Sequence, residues 1–174
     1  MIYFSETQRF KRWWAWLAML AINGLFIYAI VQQIIFKKPF GNKPAPDFVL
    51  ISLAIFFFLF LLFIFSIKLK TVYSDEGIRY RFYPFQLTTT FIQWHQLNDA
   101  YLREYNSLYE YGGWGIRYGG KNSGKAINTS QSCRTGLQLQ FINGTKLLIG
   151  TKNPAALQKV VDEIFAAGKI NKRV

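Results

Sequence analysis

The chain is poor in the residues from which most active sites and metal centres are built. Its 174 residues include one cysteine, one histidine and nine acidic residues. A single cysteine, Cys133, excludes an internal disulfide, so no oxidising compartment is indicated. His95 has no cysteine, histidine or acidic neighbour at a metal-ligand spacing, and we expect it at the surface or at a strand end. The composition predicts no catalytic site, no metal and no cofactor.

One glycine-rich segment partly resembles a phosphate-binding loop. Residues 119–126 read GGKNSGKA, close to the pattern G-x-x-x-x-G-K-[ST]. The last position is Ala126, which lacks the hydroxyl that holds Mg²⁺, and the residues that follow are typical of a strand rather than a helix. Without a helix N-terminus the loop loses much of its affinity for anions. We therefore expect a loop between strands and no nucleotide.

Charge is absent from two long stretches of the chain. Residues 13–36 read WWAWLAMLAINGLFIYAIVQQIIF and residues 48–67 read FVLISLAIFFFLFLLFIFSI. About 20 apolar residues in a helix cross the roughly 30 Å of bilayer hydrocarbon. A buried core helix would show a polar stripe, and a signal peptide would end at a small-residue cleavage site. The two stretches are predicted to be transmembrane helices joined by a short external loop, residues 37–47.

Basic residues beside the spans predict the orientation of the chain, because lysine and arginine resist translocation. Seven of them lie on the two outer flanks: Arg9, Lys11, Arg12, Lys68, Lys70, Arg79 and Arg81. The connecting loop has three: Lys37, Lys38 and Lys43. The N-terminal tail, residues 1–12, and the C-terminal domain, residues 68–174, are therefore predicted to be cytoplasmic.

The first span carries two features that predict contact with the second. Small residues recur at every third position: Ala15, Ala18, Ala21 and Gly24. Small residues allow close approach of two helices in a membrane. Asn23, near mid-span, is predicted to form an interhelix hydrogen bond, since an unpaired amide in hydrocarbon is costly.

From Lys68 onward the apolar residues alternate with polar ones, as in half-buried strands. Asp75-Glu76-Gly77 predicts a hairpin turn, with Ile78, Tyr80 and Phe82 directed into the core. Further strands are predicted at residues 88–94, 100–105, 115–118, 126–130, 137–142 and 146–150. The segment NPAALQKVVDEIFAAG predicts a final helix, with Asn153 as its cap and Gly168 after its end.

Several segments resemble small bacterial membrane proteins in which two N-terminal spans precede a bacterial pleckstrin-homology-like (PH-like) domain. They are VYSDEGI at 72–78, the segment from Trp94 to Ala100, GWGIR at 113–117, GLQL at 136–139, LIGT at 148–151, and Pro154. The resemblance implies a roll of about seven antiparallel strands capped by a C-terminal helix, and the inner membrane of a bacterium. Such families are largely without assigned function, so the resemblance implies a fold and no activity.

The predicted soluble domain is strongly basic. Residues 68–174 contain 15 lysines and arginines and 7 acidic residues. Basic residues held near a membrane are attracted to its anionic lipids. Candidate contacts with anionic lipid or a partner are Lys68, Lys70, Arg79, Arg81 and Arg117. No recognition helix or RNA-binding aromatic signature is present, so nucleic acid is not expected.

Two classes of function follow from these observations. The first is a membrane-anchored, non-enzymatic binding or scaffold module that engages anionic head groups, a protein or a peptide. Such a module can serve as an accessory subunit of a membrane complex. The alternative is an enzyme or sensor whose site is not visible as a motif.

Overall fold

The computed structural model describes residues 1–10, 13–120, 123–129 and 134–170. Lys11, Arg12 and Cys133 lie outside the described residues. The chain divides into two compact units. One is Lys11–Ser66, and the other combines Met1–Phe10 with Ile67–Val174.

The first unit is a pair of long apolar helices. Helix α1 spans Trp13–Ile30 and continues as a π-helical turn, Val31–Ile35, and helix α2 spans Asp47–Ser66. Beyond the end of this first helical segment, Lys37 takes a left-handed φ of 56°, two residues before Pro39. By length and composition both helices are able to cross a membrane. Their bounds agree with the predicted stretches 13–36 and 48–67 to within one residue.

Aromatic side chains pack between the two helices. Phe26 stacks on Phe57 with ring centroids 5.2 Å apart, and Trp16 meets Phe65 edge-on at 5.8 Å. The predicted small-residue contact is wrong: Ala18, Ala21 and Gly24 are exposed. The reason is geometric, since a spacing of three turns the helix by about 300°, so successive members drift by about 60° and form no single face.

Asn23 bonds within its own helix instead of across to the second. Its Nδ2 donates to the carbonyl oxygen of Met19 at 2.8 Å. A short amide side chain reaches the carbonyl one turn earlier, which competes with any partner on another helix. The polar link between the helices lies at the loop end, where Gln33 Nε2 donates to Asp47 Oδ1 at 2.6 Å and to the carbonyl of Ala45 at 2.7 Å.

The second unit contains two β-sheets and a helix. The first sheet is antiparallel, in the order β1 (Ile2–Arg9), β2 (Lys68–Ser74), β3 (Gly77–Tyr83) and β4 (Thr90–Gln93). The strands of the second sheet are β5 (Leu97–Glu104), β6 (Gly115–Tyr118), β7 (Lys125–Asn128), β8 (Thr135–Phe141) and β9 (Lys146–Thr151). Their spatial order is β5-β8-β9-β7-β6. Short helix α3 (Ser107–Tyr111) follows β5, and helix α4 (Pro154–Ala166) follows β9.

This architecture confirms a helical hairpin with a β-rich domain and a final helix, and it corrects two details. The described residues form nine strands rather than about seven. They are not all antiparallel, because β7 pairs in parallel with the central strand β9. The predicted hairpin turn at residues 75–77 and the final helix are confirmed, with Asn153 accepting a hydrogen bond from the Ala156 amide.

Strand β1 was not predicted, since residues 1–12 read as a separate tail. It pairs with β2 along its length, and two of its side chains reach across to the second sheet. Gln8, only 1% exposed, donates through Nε2 to the carbonyl of Gly150 at 2.6 Å. Glu6 accepts hydrogen bonds from the hydroxyl of Thr151 at 2.7 Å and from the amide of Lys152 at 2.9 Å. The N-terminal residues are therefore part of the β domain.

The core lies between the inner faces of the two sheets and α4. The buried side chains Ile78, Tyr80 and Phe82 face it, as the alternation along β3 predicted. Trp94 is also buried there, and its indole N–H donates to the carbonyl of Ser74 at 2.8 Å. Helix α4 covers the core with Leu157, Val160, Val161 and Ile164.

Asp75, in the turn between β2 and β3, gathers three donors. Lys169 Nζ lies 2.8 Å from Oδ1, the Met1 amino group lies 2.5 Å from Oδ2, and the Tyr3 hydroxyl also donates to this carboxylate. Lys169 above all, then the amino group and Tyr3, hold the pKa of Asp75 well below its usual range. The Asp75 carboxylate above all, and then Tyr3, raise the pKa of Lys169. This cluster joins β1 and the residues that follow α4 to the turn between β2 and β3.

Replacing Gln8 with alanine tests whether β1 is integral to the domain. Gln8→Ala removes a buried amide and leaves its hydrogen-bond partners unsatisfied. The free energy of unfolding should therefore fall by about 1–3 kcal/mol. Thr7→Ala, at the adjacent exposed position, should change it by less than about 0.5 kcal/mol. Pulse proteolysis in urea on the detergent-solubilised chain measures both. Equal effects would show that β1 contributes no buried interaction.

Stability should fall in acid because of Asp75. A carboxyl with a lowered folded-state pKa contributes stability above its unfolded pKa of about 3.9, and this is lost as the pH falls through the folded value. Asp75→Asn should therefore lower the melting temperature at neutral pH and flatten its decline below about pH 4. Glu76→Gln, an exposed neighbour in the same turn, should leave that decline unchanged. An acid limb identical in Asp75→Asn and the wild type would contradict this assignment.

Candidate functional site: a cationic sheet face

The outer face of the first sheet collects basic side chains from neighbouring strands. Lys70 pairs with Arg81, Lys68 pairs with Tyr83, and Val72 pairs with Arg79. Directly opposed residues in an antiparallel ladder project on the same face, with Cβ atoms about 4.5–5.5 Å apart. Since Ile78, Tyr80 and Phe82 point into the core, Arg79 and Arg81, which alternate with them along β3, point outward. Four of the five predicted contact residues therefore share one face.

Strand β1 adds a fifth cation that the sequence analysis did not place there. Arg9 pairs with Lys68 and is exposed, as is Thr7 opposite Lys70. We call Arg9, Lys68, Lys70, Arg79 and Arg81 the cationic face. Local sequence patterns could not identify the whole face, because Arg9 joins it through a strand pairing between residues almost sixty positions apart.

Aromatic rings lie beneath the cations of this face. The Arg79 guanidinium lies 4.5 Å from the centroid of Phe91 on β4. Lys68 and Arg81 each lie 5.6 Å from the centroid of Tyr83. Such cation–π contacts are worth about 0.5–1 kcal/mol at exposed sites. These contacts restrict the positive groups to positions above the outer face of the sheet.

Little negative charge offsets the cationic face. Among the residues that the structure describes, Arg79 is its one member in an ion pair, with Glu76 at 2.6 Å. Both side chains are exposed, so this pair is weak. Arg81 Nε donates to the carbonyl of Gln86 at 3.2 Å, which orients the guanidinium without neutralising it. The face thus has a surplus of about four positive charges.

Arg117, the fifth predicted contact residue, lies elsewhere. It belongs to β6, the outermost strand of the second sheet, and its Nε donates to the carbonyl of Trp114 at 3.2 Å. Its strand makes no pairing with the first sheet among the described residues. Arg117 shares only its charge with the other four residues, and charge alone does not encode which sheet a strand joins.

A cleft of about 870 Å³ lies between β4 and the loops of the second sheet. Buried Tyr80, Ile92 and Leu147 line its inner part. Its rim includes Lys125 and Lys146. None of the described lining residues is acidic. The cleft is therefore apolar inside and positive at its mouth.

The described residues of the glycine-rich segment include Gly119, Gly120 and Gly124, which form part of the wall of this cleft. Strand β7 begins at Lys125, so the segment leads into a strand and not into a helix, as predicted. Gly124 adopts a φ of 70°, and a Cβ there would lie 2.3 Å from the carbonyl oxygen of Lys146. Glycine is needed at this position because the loop packs against the start of β9.

The described residues hold no group of three or more histidine, cysteine or acidic side chains placed to bind a metal. His95 is exposed in a short 3₁₀ turn, Trp94–Gln96. What the structure assembles is a positively charged surface, and its cations come from three strands of one sheet.

Two apolar helices able to cross a membrane, joined to a two-sheet β domain with a cationic face, define the class of this protein. Residues 1–167 match a family described as a family of unknown function, DUF6141, and the chain belongs to it. The match includes strand β1, the helical hairpin and both sheets. No curated protein and no solved structure matches the chain.

Proposed function

We propose that this protein is a membrane-anchored, non-enzymatic binding module whose cationic face engages anionic lipid head groups. The observation that carries the proposal is the gathering of Arg9, Lys68, Lys70, Arg79 and Arg81 on one sheet face. Two of these, Arg9 and Lys68, stand within four residues of a helix end in the chain, Trp13 and Ser66.

The membrane anchor is supported by the surface of the two helices. Large apolar side chains are exposed around both of them, including Trp13, Leu20, Ile27, Phe48, Phe58 and Phe65. A helix that is apolar all round belongs in a protein core or in a bilayer. Among the described residues, Ala29 is the one buried residue of the first helix and Leu50 that of the second, so a bilayer is the environment that removes the rest of this surface from water.

The proposal extends to topology and fold type. We assign both termini and the β domain to the cytoplasmic side of a bacterial inner membrane, from the distribution of basic residues. We assign the β domain to the PH-like class on the motifs described above and on the pairing of two sheets with a C-terminal helix. A role as an accessory subunit, with a membrane-protein partner, fits the same arrangement.

The energetics suit a tethered module. Each lysine or arginine near an anionic leaflet gains about 1 kcal/mol, so a surplus of about four charges gains about 4 kcal/mol. That is weak for a free protein. For a domain already anchored beside the bilayer, the encounter is intramolecular, and a small attraction sets its orientation.

Anionic lipid should shield Lys68 and Lys70 from chemical labelling. The full chain is placed in nanodiscs of phosphatidylcholine alone or mixed with phosphatidylglycerol, and acetylation rates are read by mass spectrometry. We expect labelling of these lysines to slow about fivefold in anionic discs, since about 1 kcal/mol corresponds to that factor. Lys159, exposed on α4, is the internal reference. Raised salt should abolish the difference.

Two variants locate the effect on the cationic face. Arg79→Gln with Arg81→Gln should reduce the protection of Lys68 and Lys70. Arg117→Gln, on the second sheet, removes the same kind of charge and should leave the protection unchanged. Equal labelling in the two kinds of disc would overturn the lipid assignment.

The proposed topology predicts which sites a membrane-impermeant maleimide reaches in spheroplasts. In a Cys133→Ser background, Asn42→Cys in the connecting loop should react in intact spheroplasts. Lys159→Cys should react only after the membrane is disrupted. The reverse pattern would place the β domain outside, and reaction of both in intact spheroplasts would argue against a spanning hairpin.

A further inference from the structure

We propose that the cleft beside β4 binds an acidic, extended peptide segment of a partner protein, which adds to β4 as a further strand. The cationic face and this cleft involve different residues, except that Phe91 borders both. The inference therefore does not depend on lipid binding.

The first observation is an open strand edge. Within the described residues β4 pairs with β3 and with no other strand. In an antiparallel ladder only alternate residues of an outer strand bond to their neighbour, so the remaining N–H and C=O groups point to the open side. The N–H of Gln93, the last residue of β4, already donates to Gln96 Oε1 at 3.2 Å and is not available. Thr90, Phe91 and Ile92 of this strand line the cleft. Unpaired backbone groups at an edge are a template for another extended chain.

The second observation is that the cleft has the room and the surface for side chains of such a strand. Its volume of about 870 Å³ is within the range of specific ligand sites. Alternate residues of an added strand point to opposite sides, so one set would enter the apolar interior beside Ile92 and Leu147. Phe91, 38% exposed, and Tyr118, 75% exposed, offer rings at the rim.

The third observation is charge. Lys125 and Lys146 line the mouth of the cleft, and no acidic residue does so among the described ones. Lys125 Nζ lies 5.9 Å from the ring centroid of Tyr118, which keeps the ammonium at the rim. Glutamate or aspartate in the outward positions of the added strand complements this pair of lysines. An alternation of β-branched and acidic residues is the peptide chemistry that the cleft fits.

The test begins with a phage-displayed library of random octapeptides, selected on the full chain in nanodiscs of phosphatidylcholine. These neutral discs keep the result independent of anionic lipid. We expect enriched peptides in which acidic and β-branched residues alternate. Binding of a synthetic copy, measured by fluorescence anisotropy, should weaken about tenfold or more with Lys125→Glu. Lys159→Glu, the same change on the exposed face of α4, should leave it unchanged.

Backbone pairing is tested in the peptide, so that the protein keeps its fold. Two copies carry N-methyl groups on alternate residues, in one register or the other. Strand addition predicts that one register abolishes binding and the other preserves it, since only alternate amides face β4. Failure to enrich acidic peptides, binding insensitive to Lys125→Glu, or equal effects of the two registers would each overturn the proposal.

Discussion

The antiparallel pairing of β1 with β2 is the constraint on which the rest of the β domain depends. The chain leaves the domain after Arg9, forms the whole helical hairpin, and returns at Lys68, which lies opposite Arg9 in the ladder. The first sheet is therefore built from two segments separated by the membrane-type helices. Gln8, Glu6 and the Asp75 cluster hold the returning segments together through buried or multiply bonded polar groups. A truncation that begins at Lys68 would remove a full strand and these contacts with it.

This pairing also explains how basic residues that are spread along the sequence come to form one surface site. Basic residues are spread along the chain, and most are simply exposed. The ladder places Arg9, Lys68, Lys70, Arg79 and Arg81 side by side, while the core-facing residues between them fix the direction in which they project. Phe91 and Tyr83 then support three of the cations from beneath. The positive charges are concentrated because the strands of the first sheet pair in this register. The strands pair in this way because their apolar residues alternate on the opposite, core-facing side.

Local patterns were sufficient to predict the two long apolar helices, the hairpin at residues 75–77 and α4, but not the short helix α3, because each of the predicted elements depends on neighbours in the chain. The length of the two uncharged stretches predicted the apolar helices, and Asn153 with Pro154 predicted the start of α4. What escaped prediction depends on distant partners. Strand β1 has adjacent Tyr3 and Phe4 at an irregular register, so its alternation is broken and it resembles a tail. The parallel pairing of β7 with β9, and the separation of Arg117 from the cationic face, are likewise set by which strands meet.

The two proposed surfaces place different demands on affinity. In a chain anchored by its apolar helices, a lipid contact by the cationic face would act at high effective concentration and would need few charges. The cleft beside β4 has no such advantage, because a partner must arrive by diffusion. It accordingly offers what a lipid surface does not need: an open strand edge for directional hydrogen bonds, apolar side chains along an open cleft and lysines at the rim. A domain whose orientation is set by the first surface would present the second at a fixed place beside the membrane.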